Sequence, residues 1–155
     1  MAVTIRAFDA MPPQARDIRA RTFVRESAWR PEFDGWDERG AATHLVAFSD
    51  AAEAVGTCRF YLDTGTEPHR YVIARLAVLA GARGRGIGSA LLEEAESRIG
   101  ASGGHSAWVH AEFDYYPLYE RHGYLLSSDV YENGRHGWLC KKLQRAKDMP
   151  SPGTR

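Results

Sequence analysis

The residues best suited to chemistry are concentrated in a short stretch of glycines and arginines between an apolar and an amphipathic run. Its members are Arg83, Gly84, Arg85, Gly86, Ile87, Gly88 and Ser89. The first amides of a helix lack partners inside it, and the helix dipole places partial positive charge there. Glycines allow close approach of the backbone to a ligand, and arginines offer forked donors to phosphate. The stretch therefore predicts an anion site suited to a pyrophosphate.

The same glycines could belong to a different kind of loop. A dinucleotide-binding turn requires GxGxxG, whereas Gly84, Gly86 and Gly88 give GxGxG. A Walker loop requires a lysine followed by serine or threonine after its last glycine, and that ending is absent. The simplest structure is a tight turn that opens a helix. From the residues alone, an anion site and this turn both stay open.

The two cysteines, Cys58 and Cys140, lie far apart in the sequence and belong to no CxxC motif or Cys/His cluster. A disulfide scaffold and a metal site are therefore not predicted. Each thiol is better explained as a small buried hydrophobic group than as a nucleophile. This cysteine usage fits a reducing cytoplasm.

The composition excludes several classes of protein. A chain of 155 residues, 44% of them hydrophobic, suits one folded domain. Twenty basic residues balance twenty acidic ones, so a general nucleic-acid binder is not expected. No apolar run approaches the roughly 18 residues of a membrane span, and the first residues lack a signal-peptide pattern. We expect a cytoplasmic protein with neither nucleic acid nor membrane as partner.

The periodicity of apolar residues predicts the elements that position the glycine-arginine stretch. It gives the order β-α-loop-β-β-β-α-β-α-β-β, an α/β fold with a mixed sheet. A nearly continuous apolar run at 71–79 predicts a central strand before the stretch, and helical spacing over 87–99 predicts a helix after it. Asn133-Gly134 predicts a final hairpin. We expect one domain over 1–143 and a frayed tail over 144–155.

Two segments together resemble the GCN5-related N-acetyltransferase (GNAT) superfamily. Residues 83–88 read RGRGIG and resemble its Q/R-x-x-G-x-G/A signature, preceded by a similar strand. Residues 118–124 read LYERHGY and resemble the family's FYEKLGF segment, at typical spacing from the signature. The resemblance spans residues 44–142. It implies a GNAT-like acyl-CoA N-acyltransferase fold, in which helices flank a mixed sheet with two splayed parallel strands.

A narrower resemblance is to the ElaA-like branch. Residues 23–26 read FVRE and resemble the branch's FVxEQ segment, with Ser27 in place of the glutamine. The sequences EFDGWD at 32–37 and HLV at 44–46 resemble its ExDGxD…HLV segment. His136 resembles a histidine that follows the last hairpin turn in that branch.

The resemblance implies acetyl-CoA as co-substrate, bound where the strands at 71–79 and 107–112 splay apart. The main chain of Leu76, Ala77 and Val78 would bind the pantetheine arm as an added strand binds a sheet edge. Amides from Arg83 through Ser89 would bind the pyrophosphate.

The same resemblance implies direct acyl transfer from a thioester to a neutral amine. Tyr119 resembles the tyrosine that serves the leaving thiolate, and the Val78 amide would stabilise the oxyanion. Many relatives have a glutamate base on the strand before the signature, where this chain has Arg75. Other candidate bases are Glu26, Asp37, His44, His110 and Glu112. We favour Glu112 and His110, which end the second splayed strand, although an amine of low pKa would need no base.

The acceptor is expected to be an amine of a small molecule or peptide, and the long loop at 26–43 could bind it. Its carboxylates and aromatic rings suit a cationic amine, and the candidate contacts are Glu26, Trp29, Phe33 and Trp36. The aromatic side chains could equally fasten the loop to the sheet. For Asp34 and Asp37, a turn or helix cap is the simpler role. A homodimer is common in the family, but no feature of the sequence sets the oligomeric state.

The sequence thus predicts an acetyl-CoA-dependent N-acetyltransferase. The first alternative is a protein that senses CoA or acyl-CoA without turnover, which the missing strand glutamate favours. The second is a module that binds the pyrophosphate of another nucleotide, such as NAD or ATP. Ligand selectivity and CoA release distinguish the three functions.

Overall fold

The computed structural model describes residues 2–24, 32–131 and 136–143. The helices in these ranges are α1 (Pro13–Arg19), α2 (Ile87–Ala101) and α3 (Tyr116–Arg121). The strands are β1 (Thr4–Phe8), β2 (Thr43–Phe48), β3 (Ala54–Asp63), β4 (Arg70–Val78), β5 (Ser106–Glu112), β6 (Leu125–Tyr131) and β7 (His136–Lys142). They form a seven-stranded sheet in the order β1-β2-β3-β4-β5-β7-β6. The expected α/β class, mixed sheet and element order are confirmed.

The chain divides into two compact units that interleave in sequence. The first comprises Met1–Leu62 and Ile73–Ala95, and the second comprises Asp63–Val72 and Glu96–Arg155. The glycine-arginine stretch belongs to the first unit. Tyr119, His110 and Glu112 belong to the second. The expectation of a single domain over 1–143 stays a prediction.

In the first unit, an antiparallel ladder joins β1, β2 and β3. Leu45 of β2 and Leu91 of α2 are fully buried. An added Cβ on Gly56 would lie 3.0 Å from side-chain atoms of both Ile87 and Leu91, so glycine lets β3 approach α2 closely. This contact fixes the first turns of α2, which carry the predicted pyrophosphate site.

The first helix of the predicted order is present, with one irregularity. α1 begins at Pro13, where a missing amide costs nothing, and buries Ala15 and Ile18. The helix continues as a π-helical turn over Ala20–Val24, in which Thr22 is buried. Such wider turns inside helices are often found at functional sites.

In the second unit, β7 pairs antiparallel with both β5 and β6. This confirms the predicted hairpin, although its Asn133-Gly134 turn lies outside the described residues. The Tyr124 hydroxyl is buried and donates to Glu96 Oε2 at 2.7 Å, and Lys141 Nζ lies 2.8 Å from Glu96 Oε1. These bonds tie the second half of α2 to β7 and to the segment that follows α3.

Short 3₁₀ turns at Ala80–Ala82 and Phe113–Tyr115 were not predicted. The limits of β4 and β5 differ from the predicted 71–79 and 107–112 by at most one residue. No helix in the described ranges is long and apolar enough to cross a bilayer.

Candidate active site

The connection from β4 to α2 forms a cradle built mainly of backbone. Gly84 and Gly86 have φ values of +78° and +79°, a region that glycine adopts without steric cost. The Ala90 amide donates to the Gly86 carbonyl at 3.0 Å, so α2 begins directly after the second of these glycines. The first-turn amides of α2 therefore lie at the loop, where helix geometry offers them to an anion.

The side chains of this loop differ in what they can offer a ligand. Ile87 is 2% exposed and packs in the core, so only its main chain can meet a ligand. Arg83 and Arg85 are exposed, and Arg83 Nε donates to the Val78 carbonyl at 2.9 Å. A Cβ added to Gly88 would lie 3.8 Å from Val78 Cγ2, an ordinary contact. Packing therefore does not require glycine at position 88, whereas close approach by a ligand would.

The backbone of β4 is irregular at Arg75, directly before the residues predicted to bind the pantetheine arm. Its φ is +56°, in a region that costs a non-glycine residue about 1–3 kcal/mol. Leu76, Ala77 and Val78 then complete the strand. Ala77 is buried, while Leu76 and Val78 are half-buried.

A cavity of about 520 Å³ in the first unit borders the start of the loop, a size within the roughly 300–1,000 Å³ of small-molecule sites. The π-helical turn, the β2–β3 turn and residues 79–83 line it. Arg21, Glu53 and Arg83 bring charges of both signs to its wall. It therefore lies beside the predicted pyrophosphate site.

Three arginines and three carboxylates of the first unit form a closed ring of alternating charge. Each carboxylate is shared by two arginines, and each arginine contacts two carboxylates. This arginine–carboxylate ring comprises, in order, Arg19, Glu32, Arg75, Asp34, Arg59 and Asp37.

The ion-pair distances in this ring are short, and most of its side chains are buried. Arg19 Nη1 lies 2.6 Å from Asp37 Oδ1, and the Arg19 and Arg59 side chains are only 1% and 2% exposed. Arg75 closes the ring, with Nε 3.1 Å from Glu32 Oε2 and Nη2 3.5 Å from Asp34 Oδ2. Buried charges are tolerated only when they are paired. Arg19, Glu32 and Arg59 were not predicted as members of a site. The sequence shows the close spacing of the acids at 32, 34 and 37, but not which arginines they meet.

Two candidate bases lie within or beside this ring and are unsuited to proton transfer. Burial alone would raise the pKa of Asp37, but hydrogen bonds from Arg19 and the Asp34 amide lower it well below its usual value. Burial lowers the pKa of His44 to about 4, and the residue is 1% exposed. Asp37 is thus a weak proton acceptor, and His44 is shielded from solvent.

The expected capping role of Asp34 is confirmed. Its Oδ1 accepts from the Trp36 amide at 3.0 Å, and its own amide donates to Asp37 Oδ2 at 3.0 Å. The two residues form a reciprocal cap on the 3₁₀ turn Gly35–Asp37. Their oxygens are therefore committed to the turn and to arginines.

The aromatic residues of this loop pack on neighbouring elements. The Arg16 and Arg19 guanidinium carbons lie 4.6 Å and 4.9 Å from the Phe33 ring centroid. Trp36 stacks on Tyr61 with ring centroids 3.8 Å apart. An acceptor-binding role for Phe33 and Trp36 stays a prediction, and Glu26 and Trp29 lie outside the described residues.

In the second unit, α3 positions Tyr119, which is half-buried. Its ring meets Tyr124 edge-on, with centroids 5.8 Å apart. Because Tyr124 is anchored by Glu96, the Tyr119 ring rests on a fixed surface.

The second unit also brings together the carboxylate and histidines at the ends of β5 and β7. Glu112 lies opposite His136 in the ladder, with Oε1 3.5 Å from His136 Nε2. The His110 ring centroid lies 5.7 Å from that of His136 and 5.1 Å from that of Trp138. The Glu112 side chain is 47% exposed and can meet a ligand, whereas His136 is buried. His136 was not among the predicted catalytic residues, because only the strand pairing brings it to Glu112.

Both cysteines are free thiols. Burial raises the pKa of Cys58 to about 12, and burial also raises the pKa of Cys140, although a Ser106 hydrogen bond opposes this shift. A thiol with a raised pKa is a poor nucleophile at neutral pH. The structure thus supports the packing role expected for them.

Solved structures of other proteins share this fold. An acyl-CoA N-acyltransferase from Pseudomonas aeruginosa has a TM-score of 0.76 at 22% identity, with 90% of this chain and 99% of that one covered. Escherichia coli ElaA has a TM-score of 0.77 at 19% identity, with 91% and 100% covered. An aminoglycoside 6'-N-acetyltransferase complexed with coenzyme A has a TM-score of 0.67 at 18% identity, with 96% and 99% covered.

The match to a family model assigns the chain to a protein family, which a shared fold alone does not do. The model of the acetyltransferase (GNAT) family matches residues 12–124. The matched range includes β4, the glycine loop, α2 and the segment of Tyr119. The chain therefore belongs to the acetyltransferase (GNAT) family.

Proposed function

We propose that this protein transfers an acetyl group from acetyl-CoA to a primary amine of a small molecule or peptide. Its family supports a general acyl-CoA-dependent N-acyltransferase activity. The observation that carries the finer proposal is the loop in which Gly84 and Gly86, both at positive φ, lead from β4 into α2. Free amides at the start of a helix favour an anion, which supports binding of the CoA pyrophosphate at this backbone cradle.

Each part of the first unit's site has a role in binding acetyl-CoA. The main chain of Leu76, Ala77 and Val78 binds the pantetheine arm. Amides from Arg83 through Ser89 bind the pyrophosphate. The exposed Arg85 side chain adds charge near the phosphates.

The proposed reaction is direct. The amine nitrogen attacks the thioester carbonyl, a C–N bond forms, and the C–S bond of the tetrahedral intermediate breaks. Glu112 accepts the proton that the amine loses, and Tyr119 donates a proton to the leaving thiolate. The Val78 amide stabilises the oxyanion. His110 is the second candidate base. The exposure of Glu112 favours it as the base over Asp37. Burial would raise the pKa of Asp37, but hydrogen bonds from Arg19 outweigh burial and lower this pKa.

The acceptor class remains a primary amine. One structural neighbour is named as an aminoglycoside 6'-N-acetyltransferase, which supports an amine as the acceptor. In this chain the acidic residues of the 32–37 segment are engaged by arginines, which weakens the idea that they bind a cationic amine. The exposed carboxylate of Glu112 is better suited to bind a cationic amine than the carboxylates of residues 32–37.

The test is calorimetric titration of the purified protein with acetyl-CoA, CoA, NAD and ATP, followed by a thiol-release assay with a panel of amines. We expect micromolar binding that is selective for CoA compounds, and CoA release with at least one amine.

The remaining outcomes separate the alternatives. CoA-selective binding without release from any amine would favour a sensor of acyl-CoA. Equal binding of NAD or ATP would favour a general nucleotide module. A folded protein that binds none of them would overturn the proposed function.

A further inference from the structure

Arg75 has an unusual backbone for its place in the fold. Among the described non-glycine residues, Ala52 and Arg75 have positive φ, at +60° and +56°. Ala52 lies in the β2–β3 turn, where such conformations are common. Arg75 lies inside β4, where an extended backbone is expected, so something must hold it there.

The arginine–carboxylate ring supplies that restraint. The Arg75 guanidinium contacts Glu32 and Asp34, and these carboxylates are held from their other side by Arg19 and Arg59. Arg75 Nε also lies 3.3 Å from the Glu32 carbonyl oxygen. The Arg75 side chain is only 17% exposed. Its far end is therefore anchored to groups that are themselves fixed.

A residue in the left-handed region reorients the peptide groups on both sides of it. The peptide that follows Arg75 leads directly into Leu76, Ala77 and Val78. In the proposed function, these residues hold the acyl-pantetheine arm through their main chain. Their orientation toward that arm thus depends on the conformation at position 75.

We propose that Arg75 is a positioning residue: its ion pairs with Glu32 and Asp34 hold the left-handed backbone that aims the β4 peptide groups at the pantetheine arm. The inference rests on the proposed function, because it requires the cofactor to bind along β4. It assigns to Arg75 a role through the backbone and no contact with the reacting atoms.

Two truncations separate a backbone role from a side-chain role. Arg75→Ala and Arg75→Gly both remove the guanidinium and both open the ring. Glycine adopts positive φ readily, whereas alanine favours a return to extended backbone. If the backbone conformation is what matters, the two variants will differ although they lack the same side chain.

The probes are acetyl-CoA and 3'-phosphoadenosine 5'-diphosphate, which carries the pyrophosphate of CoA but not its pantetheine arm. For Arg75→Ala, we expect acetyl-CoA affinity to fall about tenfold, while affinity for the nucleotide stays within twofold. For Arg75→Gly, we expect both affinities to stay within about threefold of the parent values. Calorimetry measures both constants.

Two further variants serve as a control and as a second test of this role. Ala52→Gly changes the other positive-φ residue, away from β4, and should leave both affinities unchanged. Glu32→Gln keeps Arg75 but weakens one of its ion pairs, and should lower acetyl-CoA affinity about threefold without affecting the nucleotide. Because Glu32 retains a charged partner in the Arg75 variants, and Asp34 does too, we expect those variants to fold.

The outcomes are decisive. Equal effects of alanine and glycine at position 75, whether large or absent, would overturn the positioning role. So would an equal loss of nucleotide affinity in Arg75→Ala, since that would indicate a general change in the loop. If the parent protein binds the nucleotide but gains nothing from the pantetheine arm, the proposed function fails instead, before any variant is compared.

Discussion

At the scale of single residues, Tyr119 can lose its hydroxyl without losing its packing. The ring contacts Tyr124 edge-on, and Tyr124 is held by its own hydrogen bond to Glu96. Replacement by phenylalanine keeps this ring contact. The variant therefore isolates the chemistry of one oxygen atom from the fold of α3.

We predict that Tyr119→Phe lowers kcat about 100-fold, the usual range for loss of a general acid. The dissociation constant of acetyl-CoA should stay within about twofold, because the hydroxyl is assigned to the leaving thiolate. Steady-state CoA release and calorimetry measure the two quantities. Tyr115→Phe, at a 54% exposed position of the same segment, is the control and should retain full activity. A Tyr119→Phe enzyme as fast as the parent would remove this tyrosine from the mechanism.

At the scale of elements, the start of α2 serves two purposes at adjacent residues. Ile87 is buried and anchors α2 in the core. Gly88 has no side chain, so a ligand can approach the backbone of α2 at this position. The neighbouring Gly86 is required by its positive φ whether or not a ligand binds. Position 88 is therefore the better place to test ligand approach.

We predict that Gly88→Ala lowers acetyl-CoA affinity at least tenfold without destabilising the fold. The new methyl group meets only Val78 at normal distance, and alanine is the better helix former by about 0.5–1 kcal/mol. Gly88→Asp should be weaker still, because its carboxylate repels the pyrophosphate.

Gly81→Ala is the matched control for Gly88→Ala. It lies in the same connection, and nothing within 4 Å would meet its Cβ. Calorimetry gives the affinity and thermal unfolding gives the stability. If Gly88→Ala bound acetyl-CoA as tightly as the parent, the phosphates would have to lie elsewhere.

At the scale of the whole molecule, stability should depend on pH through one buried imidazole. Burial lowers the pKa of His44 from 6.5 to about 4 in the folded protein. As pH falls below 6.5, the unfolded chain takes up this proton while the folded protein does not. Stability present above 6.5 is therefore lost progressively down to about 4, by at most about 1.4 kcal/mol per pH unit.

We predict that His44→Gln flattens the dependence of unfolding free energy on pH between 6.5 and 4. Denaturant unfolding at several pH values measures it. His69→Gln, at an exposed position, should leave the dependence as in the parent. An unchanged slope in His44→Gln would contradict the lowered pKa. Below about 4, protonation of Asp34 and Asp37 should remove further stability, because their pKa values are lowered in the folded protein by arginine contacts that outweigh burial.

Local sequence patterns were sufficient to predict the order of the elements and the glycine-arginine loop between β4 and α2. The apolar run of β4, the glycines at 84 and 86 and the spacing of α2 each depend on residues close in the chain. Backbone sterics permit the positive φ that Gly84 and Gly86 adopt, and α2 begins directly after Gly86. The capping of the 35–37 turn by Asp34 is equally local. For this reason the glycine loop and the fold class could be predicted from the residues, whereas the binding of an anion there stays a prediction.

What the sequence by itself determined is thus the α/β order, the loop and the family resemblance. Only the tertiary structure decided which charges meet. Arg19, Arg59 and Arg75 come from α1, β3 and β4, and pairing over such distances leaves no periodic signal in the chain. The same holds for Glu112 and His136, which strand register brings together. Long-range ion pairs depend on where whole elements pack, so the weakness of Asp37 as a base and the anchoring of Arg75 emerge only when the chain is folded.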